Sequence, residues 1–228
     1  MKTKRKLQIT VDILMTCILL IQMSYSIAGE LIHEILGISM FLLLIAHHIL
    51  SFSYTKALFR GKKSAEKVMK ITLDILLCVC MLMIVLSAFI LSKYIFTFLG
   101  IHVLSDISRK LHLLGAYWGF ALMSAHIGFH LDFMFARLMK NKSKKIILYS
   151  VMSVLSAAGV VFFITEGIYR YMLLINQFVF FDVKRGLVVF LLKYIPIMIM
   201  YAFSSFLILK AVKGRKSEIK IQSEGSKI

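Results

Sequence analysis

The sequence predicts an all-α, polytopic membrane protein with six transmembrane helices, and three observations lead there. First, 60% of the 228 residues are hydrophobic, mean hydropathy is +0.86 and there is a single proline. A water-soluble chain is nearer half apolar. Second, several uninterrupted apolar runs approach or exceed the about 20 residues with which a helix crosses a hydrocarbon core while satisfying its own backbone. Third, the basic residues are grouped: 21 of the 28 lysines and arginines lie in Lys2 to Lys6, Lys56 to Lys70, Arg137 to Lys145 and Lys210 onward. Positive segments alternating with apolar runs belong on the cytoplasmic side of a membrane. The net charge of +17 therefore reports topology and does not point to a nucleic-acid partner.

The first helix is expected over residues 7–28, directly after the basic cluster Lys2 to Lys6. A charged start and the small residues Ser26-Ile27-Ala28 also fit a cleaved signal peptide. The apolar run from Ile9 to Ala28, however, is longer than the about 7–15 residues of a signal core, and cleavage would leave His33 almost at a free end. An uncleaved helix is the reading adopted. A turn at Ala28-Gly29-Glu30 leads to the second helix, 31–53, which ends in basic residues. The third helix, 68–92, holds Cys78 and Cys80, and the fourth, 111–136, ends at the next basic cluster. Helices five, 145–168, and six, 187–210, are joined by an aromatic connection over 166–186, which reads either as an amphipathic segment at the interface or as an irregular loop. Residues 1–137 then form a four-helix core, residues 138–228 add two helices and a basic tail, and both termini are cytoplasmic. Cys17, Cys78 and Cys80 all lie in apolar runs and no Cys-x-x-Cys-His occurs, so neither a disulfide framework nor c-type haem attachment is expected.

Six of the seven histidines sit on two helices: His33, His47 and His48 on the second, His112, His126 and His130 on the fourth. Ionisable and polar residues inside a span are expensive and usually face the bundle interior. The spacing is more informative than the location. His33 and His47 are 14 residues apart, as are His112 and His126, and 14 residues advance a helix by about 21 Å while returning to within about 40° of the starting direction. Each helix thus offers two imidazoles on one face at two depths. Helices two and four run the same way through the membrane, so His33 stands level with His112 and His47 with His126. A planar macrocycle between two helices needs one imidazole on each side of its iron, and bis-histidine ligation suits electron transfer. Two b-type haems are therefore expected, and the same four histidines are the expected metal ligands. His126 is preferred for the inner site because it matches the depth of His47. His130, 18 residues from His112 and nearly in register, is the alternative ligand or a partner for a propionate. Gly37 and Gly115, one turn inward of His33 and His112, provide room for a porphyrin to approach the backbone, or serve plain helix packing. Arg109 and Lys110 on one side, and Lys56, Arg60 or Arg137 on the other, are candidates to neutralise propionates. Glu30 and Glu34 flank His33, where a carboxylate orients an imidazole or takes a quinol proton. His102 reads as a solvated side chain.

The segments His33-Glu-Ile-Leu-Gly37 to His47-His48, Leu86-Ser87-Ala-Phe-Ile-Leu-Ser92 with Phe96, and Leu111-His112 to His126-Ile-Gly-Phe-His130 resemble the flavinylation-associated cytochrome domain of bacterial membrane proteins. Their ligand pattern is similar to that of ferric reductases and cytochromes b. The resemblance extends over residues 8–137, with Phe180-Phe181-Asp182 and the last helix similar to a C-terminal extension of the same family. It implies a bacterial cell-membrane cytochrome that relays electrons from quinol, or from an inner donor, to an extracytosolic flavoprotein. The chain departs from the family at Ser51, where a second-helix histidine is common. No flavin-attachment motif of the Ser/Thr-Gly-Ala-Thr kind is present, so any flavin belongs to a partner.

Two other classes would also place histidines inside membrane helices. A metal-cation transporter clusters its ligands at one depth and usually adds carboxylates at mid-membrane, whereas Asp12 and Asp74 lie near the inner ends. A structural subunit would use its histidines only for hydrogen bonds between helices.

Overall fold

A computed structural model describes residues 2–60, 64–100, 105–135, 140–178 and 186–225. These residues form an all-α chain. Helix α1 spans Lys2–Gln22, a single turn α2 spans Tyr25–Ala28, and α3 runs over Glu30–Phe59. Helix α4 covers Ala65–Leu91 and is followed by a 3-10 turn at Thr97–Leu99. Helix α5 covers Ser105–Met134, α6 covers Lys142–Thr165, the short α7 covers Ile168–Met172, and α8 runs over Gly186–Gly225. His102, Arg137 and Phe180-Phe181-Asp182 lie outside the described residues.

Among the described residues four helices are long and apolar enough to cross a membrane: Glu30–Phe59, Ala65–Leu91, Lys142–Thr165 and Gly186–Gly214. Their lipid-type character is also visible in what they leave uncovered. Ile49, Leu86, Val154 and Leu192 are each more than 60% exposed, an arrangement that water would penalise by about 25 cal/mol per Å² of apolar surface and that hydrocarbon does not. Helices α1 and α5 fall short of the same standard for a compositional reason. The first begins with Lys2, Lys4, Arg5 and Lys6 and carries Asp12, while α5 carries Asp106, Arg109, Lys110 and three histidines. The six expected spans are therefore represented by four that qualify on hydropathy and two helices of sufficient length but higher polarity.

Local sequence explains several helix ends. Ser64 and Asn141 start α4 and α6 by accepting hydrogen bonds from the backbone N–H groups of Lys67 and Lys144, at 3.3 and 3.0 Å, so that otherwise orphaned donors are satisfied. Helix α6 ends at Gly167, whose φ of +64° is strained for any residue with a Cβ. The end of α4 is secured from another helix. The Glu34 carboxylate of α3 accepts from Ser92 Oγ at 2.7 Å and from the backbone N–H groups of Lys93 and Ile95 at 2.6 and 3.0 Å. Glu30 meanwhile pairs with Lys93 and accepts from the Tyr25 hydroxyl. Its hydrogen bond raises the Lys93 ammonium above the ordinary lysine value.

Helices pack in sequence-adjacent pairs, α1 along α3 and α4 along α5, and α8 lies against both α5 and α6. The tightest core is between α5, α7 and α8, where Tyr117, Phe120, Ile168, Tyr171, Tyr194 and Ile197 are buried. Tyr117 stacks on Tyr171 with ring centres 4.8 Å apart, and Trp118 Nε1 donates to the Met172 carbonyl at 3.0 Å. The start of the aromatic connection is thus a packed helical turn that holds α5 to α8. Two glycines set the approach of α8. A Cβ on Gly128 would overlap Ser205 Oγ and the Ala202 carbonyl, and one on Gly159 would overlap the Pro196 carbonyl. By contrast α3, paired with α1, has little close backbone contact with α4.

Candidate functional site

The histidines of α3 and α5 meet across the space between the two helix pairs. His33 and His112 have ring centroids 6.0 Å apart with planes inclined by 63°. Toward the other end of the same helices Tyr54 of α3 lies 5.9 Å from His130 of α5. Helices α3 and α5 therefore run parallel, and residues at matching depth face one another.

Each of the four histidines expected to be ligands has, within 3.0 Å of its Nδ1 atom, a polar side chain from the preceding long helix. On α5, His112 Nδ1 is 3.0 Å from Ser87 Oγ. Because Ser87 donates its hydroxyl proton to the Met83 carbonyl at 2.6 Å, the imidazole is the donor in that contact and carries its proton on Nδ1. His126 Nδ1 is 3.0 Å from Asp74 Oδ1. On α3, His47 Nδ1 is 2.7 Å from Asp12 Oδ1. An ionised carboxylate only accepts, so His47 presents Nδ1–H to Asp12, while Asp74 stands at ion-pair distance from His126. The Gln22 amide lies 2.8 Å from His33 Nδ1 and, in the orientation that satisfies all its neighbours, donates to that nitrogen while its oxygen accepts from Gly37 N–H at 2.8 Å. Ligation through His33 Nε2 calls for the reverse orientation, with the amide oxygen accepting from Nδ1–H.

Fixing one ring nitrogen by a hydrogen bond fixes the tautomer and leaves the other nitrogen's lone pair for a metal. Among the described residues His48 and His130 make no such hydrogen bond. His48 is exposed and touches His47 edge-on at 5.7 Å, while His130 lies 5.0 Å from His126. The preceding-helix partners divide by level. The His33/His112 level has the neutral side chains Gln22 and Ser87, and the His47/His126 level has the carboxylates Asp12 and Asp74.

The remaining expected site residues occupy other positions. Gly115 makes its close approach to α4, since a Cβ there would stand 2.9 Å from Ile84 Cγ1 and 3.2 Å from the Cys80 carbonyl. A Cβ on Gly37 would stand 3.2 Å from Gln22 Nε2. Both glycines thus admit the neighbouring helix, and at Gly37 the side chain admitted is the one that touches His33. Glu34 is engaged with the end of α4 and Glu30 with Lys93 and Tyr25, and Gln22 rather than either acid holds His33. Arg109 is 4.0 Å from Asp106 and stacks over the Phe178 ring at 5.4 Å, whereas Lys110, Lys56 and Arg60 are exposed.

The fit of a haem to these residues can be judged from the separation of the first pair. An iron between two imidazoles requires two metal–nitrogen bonds of about 2 Å and about 1 Å more from each nitrogen to its ring centre, placing the centres about 6 Å apart. The observed 6.0 Å between His33 and His112 agrees. Among the described residues no three His, Cys, Asp or Glu side chains converge as a metal site. A porphyrin, which brings its own four equatorial nitrogens, needs only two protein ligands.

The sequence reading missed Gln22, Ser87, Asp12 and Asp74 as partners of the histidines. The two acids carried a signal, since a carboxylate within an apolar helix has a cost that a partner must offset. Their separations from His47 and His126 are 35 and 52 residues, so no fixed spacing links each acid to its histidine.

The fold and this site define a multi-pass helical membrane protein in which His33 and His112 oppose one another between parallel helices. Compared with protein-family models, with curated proteins and with solved structures, the chain matches none.

Proposed function

We propose that the chain is a membrane di-haem b-type cytochrome, with His33 and His112 as ligands at one level and His47 and His126 at the other. The observation that carries this reading is the opposition of His33 and His112 across α3 and α5, with ring centroids 6.0 Å apart, on helices that each carry a further histidine 14 residues along. The Asp12 and Asp74 carboxylates beside Nδ1 of His47 and His126 favour these two over His48 and His130 as the second pair, because an acceptor at Nδ1 leaves Nε2 unprotonated. Bound haem would supply reversible one-electron chemistry at iron. The protein's part is to hold the imidazoles and to favour the Nδ1–H tautomer through Ser87, Asp12 and Asp74, with the Gln22 amide turned so that its oxygen accepts from His33 Nδ1–H, while Met15, Met40 and Met123 pack together in an apolar cluster.

In this reading all six long helices cross the membrane, α1 and α5 among them. Part of their polarity lies in Asp12, Gln22 and the histidines of the proposed sites, and the grouping of basic residues supports cytoplasmic termini. The resemblance to flavinylation-associated cytochromes supports quinol, or an inner donor, as the source of electrons and an extracytosolic flavoprotein as their destination in a bacterial cell membrane. The direct experiment is a dithionite-reduced minus oxidised absorption spectrum of protein purified from haem-replete cells, with haem counted as pyridine haemochrome. Low-spin b-type bands with about two haems per chain are expected. A colourless protein would overturn the proposal and return attention to a transport or structural role.

A further inference from the structure

The two histidine levels differ in the charge of what holds them. His47 directs Nδ1–H at the carboxylate of Asp12 at 2.7 Å, and the carboxylate of Asp74 stands 3.0 Å from His126 Nδ1. His112 directs it at the hydroxyl of Ser87 at 3.0 Å, and His33 adjoins the amide of Gln22 at 2.8 Å. All four partners come from the preceding long helix, α1 for α3 and α4 for α5. The same architectural position is therefore filled by an anion twice at one level and by a neutral group twice at the other.

That difference has a definite sign for a bound iron. A carboxylate accepting from Nδ1–H pulls the proton away from the ring and gives the imidazole part of an anion's character, which makes Nε2 a stronger donor. Stronger donation and two nearby negative charges both stabilise the ferric over the ferrous state, and a hydroxyl or amide does so much less. Hydrogen bonding around the axial ligand is one of the levers by which a protein sets haem potential.

We infer that Asp12 and Asp74 are positioning and tuning residues that hold the haem at the His47/His126 level at a lower reduction potential than the haem at the His33/His112 level. The inference rests on the di-haem reading above. Its consequence is directional: an electron delivered by a quinol, or by another reductant at the Asp12/Asp74 end, moves downhill along α3 and α5 toward the His33 end. In that transfer one ferrous iron becomes ferric and the other ferric iron becomes ferrous, with no bond made and no proton moved. A flavin, as oxidant at the His33 end, takes the electron on.

The test is a spectroelectrochemical titration of the purified holoprotein, whose haem content is first confirmed by pyridine haemochrome. Haem-free protein would refute the cytochrome reading itself, whereas every later outcome bears on the tuning alone. Two waves are expected. Asp12→Asn and Asp74→Asn should each move the lower wave upward and leave the upper one in place, while Asp12→Glu and Asp74→Glu should keep the lower wave near its wild-type position. Gln22→Glu, which places a carboxylate beside His33 Nδ1 and still accepts from Gly37 N–H, should pull the upper wave downward. His112→Ala, which removes a ligand only at the neutral level, should leave the lower wave as the surviving one. This last variant keeps the inference testable if the asparagine variants fail to assemble. A single unresolved wave, an unmoved lower wave in both asparagine variants, or survival of the upper wave in His112→Ala would each overturn the ordering.

Discussion

His112 illustrates how a side chain is committed to one chemical role by its surroundings. Ser87 donates to a carbonyl of its own helix and so has only lone pairs left for the imidazole, which fixes the proton on Nδ1 and frees Nε2. For the proposed cytochrome, His33→Ala or His112→Ala should halve the haem counted per chain, and His47→Ala or His126→Ala should remove the other half. A discriminating pair is His126→Ala against His130→Ala. The first should lose haem and the second keep it, as read by pyridine haemochrome, and the reverse result would move the ligand to His130. Ser87→Ala should retain haem at normal expression but weaken its hold at the His33/His112 level. Loss of such an outer-shell partner typically costs about 10–100-fold in affinity, measurable as faster haem transfer to an apo-globin acceptor.

At the scale of helices, the assembly depends on places where side chains are absent. Gly128 and Gly159 let α5 and α6 touch the backbone of α8 at Ala202 and Pro196, and small residues serve this purpose in membranes because association there relies on close packing. Gly128→Ala and Gly159→Ala should each destabilise the bundle by about 1–3 kcal/mol through overpacking, seen as a lower midpoint in a thermal unfolding scan in detergent. An unchanged midpoint would mean that α8 can shift to accommodate the methyl group. Glu34 works between elements in another way. By accepting from the backbone after α4, it fastens the end of one helix pair to the first turn of α3. This places the His33 end of α3 beside the α4–α5 pair even though α3 and α4 have little close backbone contact elsewhere.

For the molecule as a whole, the proposed orientation rests on the basic segments between the apolar helices. If both termini are cytoplasmic, single cysteines introduced at Ser64 and Ser143 in a chain lacking Cys17, Cys78 and Cys80 should react with a membrane-impermeant maleimide only in inverted vesicles. One introduced at Ser105 should react only in intact cells. Labelling of Ser64 and Ser105 variants from the same side would show that α4 does not cross.

Helical class, membrane character and the two 14-residue histidine pairs were legible from composition and periodicity, which are local properties of the chain. The spans were less clear where function intrudes. Helices α1 and α5 carry acids, bases and histidines that lower their hydropathy, so a rule based on apolarity passes α3, α4, α6 and α8 only. Gly37 and Gly115 show the same limit. Their position one turn from a histidine is a matter of spacing, but the structure turns both toward a neighbouring helix. What the fold alone decided is which groups stand beside the imidazoles. Asp12 and His47, or Asp74 and His126, come together because antiparallel helices return the chain to the same depth after a turn of variable length. Sequence separation therefore carries no fixed signature of these pairs, and the division between charged and neutral partners becomes visible only once the helices are packed.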